Sequence, residues 1–154
     1  YGESKFLGEK NIQSVGGKFY IIRPSRIFGK PGISKQSKKS FVDIMIEKKD
    51  EEEIKVVNEE KGSPTYAPDL AKFTKNLIEQ NFPFGIYHGT NSGACTWFEW
   101  AEEIFKILGY GPKLVAVSGG EFIRPAKRPM YSALINTKTK KQRSWQEALL
   151  EYLK

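Results

Sequence analysis

Apolar positions along the chain fall into helical and strand-like blocks that alternate. Phe6, Leu7, Ile12 and Val15 are spaced for a helix over 1–15, which Gly16-Gly17 stops. Lys18 to Arg23 follows as a short, partly aromatic strand ended by Pro24, continuous enough to suit a buried parallel sheet. Ile27 to Gln36, with Gly29, Pro31 and Gly32, reads as loop. A helix from Ser40 should turn Phe41, Ile44 and Met45 inward; 48–53 reads as its solvated end and a turn, before a strand over Ile54–Val57. Pro68 opens a third helix with Leu70, Phe73, Leu77 and Ile78 inward, and Gly85–His88 is a further strand. Thr96-Trp97-Phe98-Glu99 and Ser144-Trp145-Gln146-Glu147 each spell a capping box. The first opens a helix with Trp97, Ala101, Ile104, Phe105 and Leu108 on one face, ended by Gly109. The second opens a helix striped by Trp145, Ala148, Leu149, Tyr152 and Leu153, and Leu114–Val117 lies between them as a strand. Strands alternating with helices predict an α/β fold.

Composition changes this picture little. The 154 residues carry 39% hydrophobic positions, enough for one domain with a core. Lys and Arg number 25 against 18 acidic residues, a formal charge of +7 that favours anionic partners. Nucleic acid gains little support from this charge, because no basic strand interleaved with aromatics and no binding motif accompanies it. The single Cys95 excludes an internal disulfide and fits a reducing, cytoplasmic setting. No apolar run is long enough to span a membrane. One His and one Cys, without clustered carboxylates, give no metal-ligand set. His88 reads as a core or supporting residue in a buried strand, Cys95 as inert, and the three Trp as core or interface residues.

The candidate chemistry begins at the first residue. Tyr1 and Lys5 are four apart and share one helical face. An ammonium a few ångströms from a phenol stabilises the phenolate, so such a phenol can hand its proton to a carbonyl oxygen as hydride arrives at carbon. The same ammonium can hold a ribose hydroxyl.

Further stretches carry a resemblance. Phe19–Arg23 followed by Pro24-Ser25-Arg26-Ile27-Phe28-Gly29 resembles the strand and loop after the catalytic helix of extended short-chain dehydrogenases/reductases. Glu59-Glu60-Lys61-Gly62-Ser63-Pro64-Thr65-Tyr66-Ala67-Pro68-Asp69-Leu70-Ala71 is similar to a stretch of the dTDP-4-dehydrorhamnose reductase family. So are Ile86–Gly89, Thr96–Phe105, Ala126–Leu134 and Ser144–Leu149, in family order and over nearly the whole chain. The resemblance implies the C-terminal part of a Rossmann-like NAD(P)-binding fold plus a smaller mixed α/β substrate-binding domain. Residues 1–30 would hold the catalytic helix and following strand, and 31–154 mainly the substrate domain, with returns to the Rossmann sheet at about 68–91.

It further implies reduction of the 4-keto group of dTDP-4-dehydro-L-rhamnose by NADPH or NADH, with Tyr1 as general acid and Lys5 as its tuner. Tyr1, Lys5, Pro24 and Ser25 would touch the cofactor; Arg26, Thr65, Tyr66, Arg124, Lys127 and Arg128 would touch the dTDP-sugar, the last three cations through its diphosphate. Some members of the family use Mg²⁺, and nothing in the sequence decides that here. The family's Gly-rich nucleotide loop and the Ser/Thr upstream of its Tyr have no counterpart in this chain. The expectation is therefore a fragment, inactive alone, with sheet surface that awaits an N-terminal Rossmann segment or self-associates as a homo-oligomer. Arg26 stands where the family usually has Trp, Tyr131 where it has Asn, and Ile135 where it has Asp. These departures motivate a second reading, a non-catalytic regulatory or scaffolding subunit.

Overall fold

Three of the helices start where a short polar side chain can satisfy the free N–H groups of a first turn. Ser40, Thr96 and Ser144 each form a complete capping box, with Asp43, Glu99 and Glu147 returning the bond. The computed structural model describes residues 1–154 except Lys35, Ile123 and Lys127. In chain order the elements are α1 (Gly2–Val15), β1 (Tyr20–Arg23), β2 (Ile27–Phe28), α2 (Phe41–Glu47), β3 (Glu53–Val57) and β4 (Thr65–Tyr66). They continue with α3 (Ala67–Glu79), β5 (Gly85–His88), α4 (Trp97–Leu108), β6 (Lys113–Val117), a 3₁₀ turn (Gly119–Glu121) and α5 (Trp145–Leu153).

The strands pair in parallel: β1 with β5, β2 with β4, and β3 with β6. Parallel pairing needs a crossover between partners, and α3 and α4 lie within those connections. The register sets Tyr20 opposite Gly85 in the first pair and Glu53 opposite Lys113 in the last.

Two apolar clusters hold these layers. The larger joins Val42 and Met45 of α2, Ile54 and Val56 of β3, Trp100, Ala101 and Ile104 of α4, and Trp145, Ala148 and Leu149 of α5. Phe28 and Tyr66 enter it from β2 and β4, stacked with ring centroids 5.2 Å apart. The smaller cluster is Phe73 and Leu77 of α3 with Tyr87 of β5, against Tyr20 and Ile22 of β1. By contrast α1 buries none of its residues; Phe6, Leu7 and Ile12 face outward. A fork of Arg23 in β1 onto Glu9, with Nε–Oε1 at 2.8 Å, ties the helix to the sheet and holds the Glu9 carboxyl below its usual range.

Several sequence expectations are corrected. The stretch read as loop from Ile27 begins with a two-residue strand, too short for any periodicity to mark. Val42, not Ile44, points inward from α2, and Ile78 is exposed on α3. On α4 the fully buried indole is that of Trp100, whereas Trp97 is half-buried. His88 is half-exposed at the end of β5, its Nδ1 3.0 Å from the Ile135 carbonyl oxygen.

Cys95 lies in the interior, where burial pushes its thiol up to about 12. A thiol reagent at pH 8 should leave Cys95 unmodified until denaturant is added. Stability should also fall as pH rises beyond the ordinary thiol range of ~8.5, since only the unfolded chain ionises there. Modification in the folded protein at a rate matching the unfolded chain would contradict this burial.

Candidate functional site

Tyr1 occupies the N-cap of α1 and Lys5 stands one turn on, its N–H bonded to the Tyr1 carbonyl at 3.1 Å. The Lys5 ammonium lies 5.7 Å from the Tyr1 ring centroid, and Tyr1 is 88% exposed. The pair is thus together on one face and accessible to a ligand. α1 ends at Gly16, whose φ of +73° suits glycine, and the chain then enters β1.

Beyond β1, Pro24 is exposed and Ser25 is clasped by Thr65. The Ser25 N–H donates to Thr65 Oγ1 at 3.2 Å, and that hydroxyl donates to the Ser25 carbonyl at 2.5 Å. The resemblance sets Thr65 and Tyr66 beside the substrate, and capping and packing explain them equally well; the structure gives both interior contacts. Thr65 is fully buried, and Tyr66 is packed on Phe28 with its N–H on Asn91 Oδ1 at 2.8 Å. Arg26 likewise turns inward. Its Nη1 donates to the Cys95 carbonyl at 2.8 Å, its Nη2 to the Glu60 carbonyl at 2.6 Å, and its guanidinium lies 4.0 Å from the Trp97 ring centroid. These contacts offset a φ of +45°, a left-handed conformation that costs a non-glycine residue about 1 kcal/mol. With two carbonyls and an indole as partners, Arg26 does not present an unengaged cation to a sugar.

Of the loop cations, Arg124 donates Nη1 to Glu60 Oε1 at 2.8 Å, Arg128 is exposed, and Lys127 lies outside the described residues. Arg124 stands at the rim of a cleft of about 660 Å³ between α2 and β3. Phe41, Met45, Val56 and Trp97 form its apolar wall, and Phe122 and Arg124 close one side. Its lining also carries Lys48, Lys55 and Arg124 against Glu51, Glu53 and Glu121, and such a volume is that of a small-molecule site. Sequence reasoning did not find this cleft. Its walls come from separate elements, and the one local signal, aromatic Phe41 and Trp97 at helix starts, equally marks packing. Glu60 lies in a stretch that carries the resemblance, but its contacts with Arg124 and Trp97 come from 64 and 37 residues away and leave no local signal. Among the described residues no group of three or more His, Cys, Asp or Glu side chains could hold a metal ion.

Parallel strand pairs with helical crossovers define the class: a mixed α/β, Rossmann-like fold. UDP-glucose 4-epimerase of Thermotoga maritima shares the fold with a TM-score of 0.75 at 20% identity over 99% of this chain and 52% of its own. The family model described as RmlD substrate binding domain matches residues 1–154, and the chain belongs to that family.

Its relatives include the spore coat polysaccharide biosynthesis protein SpsK of Bacillus subtilis, 37% identical over 99% of this chain and 53% of that protein. The dTDP-4-dehydrorhamnose reductase of Streptomyces griseus is 35% identical over 98% of this chain and 52% of its own length. A dTDP-4-dehydrorhamnose reductase of Bacillus anthracis, solved in complex with NADP, superposes with a TM-score of 0.87 at 36% identity, covering 99% of this chain and 53% of that one. The chain spans about half the length of the curated relatives it matches.

Proposed function

We propose that this chain is the catalytic-helix and substrate-binding part of an NAD(P)H-dependent reductase that converts the 4-keto group of dTDP-4-dehydro-L-rhamnose to the alcohol of dTDP-L-rhamnose. The observation that carries it is the exposed Tyr1–Lys5 pair on one turn of α1, in a chain of the RmlD family. NAD(P)H, once bound, supplies the hydride. The Tyr1 hydroxyl gives its proton to the carbonyl oxygen that becomes the new alcohol. Lys5 supports the phenolate left behind and donates to a ribose hydroxyl. A phenol and an ammonium turned to solvent on one turn are suitable donors for a ribose and a carbonyl. Residues 1–30 and about 68–91, which share the smaller apolar cluster, are assigned to the dinucleotide fold, and the larger cluster to the substrate domain. The exposed apolar side chains of α1, Phe6, Leu7 and Ile12, are assigned to contact with a Rossmann segment.

The nucleotide is assigned to the cleft between α2 and β3. Phe41 and Trp97 supply an aromatic wall, and Arg124 offers guanidinium donors to the diphosphate. The test is NAD(P)H oxidation by the full-length protein with dTDP-4-dehydrorhamnose, the product identified by mass and proton NMR. Stoichiometric dTDP-rhamnose is the expected result. No oxidation at millimolar substrate would remove the assignment and favour the non-catalytic subunit. The 154-residue chain alone is expected to be silent in the same assay.

A further inference from the structure

Glu59 and Glu60 leave the end of β3 side by side, and both carboxylates reach the segment that follows β6. Glu59 Oε2 accepts from the Gly119 N–H at 3.0 Å. Glu60 is 7% exposed and engages both oxygens, Oε1 with Arg124 Nη1 at 2.8 Å and Oε2 with Trp97 Nε1 at 2.9 Å. Its carbonyl accepts from Arg26, whose guanidinium is stacked on that same Trp97. One buried carboxylate therefore joins the aromatic wall of the cleft to the cation at its rim. Among the described residues, Glu60 is the one ion-pair partner of Arg124.

We infer that Glu60 is a positioning residue: it holds the Arg124 guanidinium at the cleft so that the remaining donors of the fork meet the diphosphate of a nucleotide seated there. This rests on the placement of a nucleotide in the cleft proposed above. A guanidinium carries five donors in a planar fork, so Nη1 can stay on Glu60 while other N–H groups serve a phosphate. A carboxylate this buried gives up its ionic partner at high cost, so an incoming anion shares Arg124 instead of displacing Glu60. Fixing the long side chain beforehand removes the ordering cost that a free Arg would bear on binding. Two donors converge on the two oxygens of Glu60, whereas a glutamine amide has a single acceptor oxygen. In Glu60→Gln the half-buried Trp97 N–H keeps that oxygen, and Arg124, on a more exposed segment, turns to water.

The experiment titrates the full-length protein with dTDP and, separately, with thymidine, followed by tryptophan fluorescence and calorimetry, with circular dichroism to check folding. Wild type should prefer dTDP. Glu60→Gln should weaken dTDP about tenfold, the value of one charged hydrogen bond, and leave thymidine within about twofold. Arg124→Met should lose the same preference, and Glu60→Gln added to it should change nothing further. Equal losses for both probes, unchanged dTDP affinity, or tighter dTDP binding in Glu60→Gln would each overturn the inference. Should Glu60→Gln not fold, Arg124→Met decides alone, since undiminished dTDP binding there leaves Glu60 nothing to position. Wild type that binds neither probe overturns the nucleotide reading itself, and wild type that binds both equally overturns the inference alone.

Discussion

Tyr1→Phe in the full-length protein is expected to lower kcat by about 10²- to 10⁴-fold, the range lost when a positioned general acid is removed. The change deletes one hydroxyl and keeps the ring. Tyr1 is 88% exposed and caps α1 without a side-chain bond, so folding should shift by less than about 0.5 kcal/mol. Affinity for dTDP should be unchanged, because the cleft is built by α2, β3, the start of α4 and the segment after β6. Lys5→Met should lower kcat and also raise the KM for NAD(P)H, since the ammonium is assigned to both phenolate and ribose. Steady-state kinetics with each substrate varied separates these effects. Turnover of Tyr1→Phe near the wild-type rate would end the catalytic assignment of the pair.

Asp69→Ala should destabilise the fold by about 3 kcal/mol, the lower end for removing one partner of a buried ion pair. Asp69 is 7% exposed at the start of α3 and receives a two-pronged contact from Arg143, Nε to Oδ2 at 2.7 Å and Nη2 to Oδ1 at 2.9 Å. Asn91, itself buried, donates to Oδ2 at 2.7 Å and accepts the Tyr66 N–H on its other side. Asp69 first, and then Glu151, hold the Arg143 guanidinium protonated well above its ordinary value. One carboxylate thus joins α3, the segment after β5 and the lead into α5. Its loss leaves the Asn91 amide with only a 3.4 Å contact to the Arg143 carbonyl, and Arg143 with only half of its partners. The lower figure follows from Arg143, whose side chain is 31% exposed and can recover water. Urea unfolding followed by tryptophan fluorescence should show a lower midpoint with an unchanged slope. Arg143→Ala added to Asp69→Ala should cost much less than the sum of the two. Additive losses would mean the two side chains act independently.

What could be read directly was local. Thr96 with Glu99 and Ser144 with Glu147 announced two helices, because the donor and acceptor of a capping box are three residues apart. The cores of β1, β5 and β6 were visible as apolar runs beside Gly and Pro, that of β3 as an apolar run after a charged one, and Tyr1 and Lys5 as one helical turn. The family resemblance drew on the same short stretches. Legibility failed where a side chain's environment comes from elsewhere in the chain. The β2–β4 pair has two residues a side and shows no period. The faces of α2 and α4 were partly misread, since a helix rich in apolar groups has several plausible inward stripes and the neighbouring elements choose between them. That choice put Val42 and Trp100 inside and Ile44 outside.

The same division runs through the candidate site. Residue types and spacing determined the α/β class and the exposed Tyr–Lys pair, which depend on contacts within a turn. Only the tertiary structure decided that Arg26, Thr65 and Tyr66 turn inward, that Glu60 reaches Arg124, and that Asp69 meets Arg143 across 74 residues. A buried charge must find its partner wherever the fold brings one, and sequence distance carries no record of where that is.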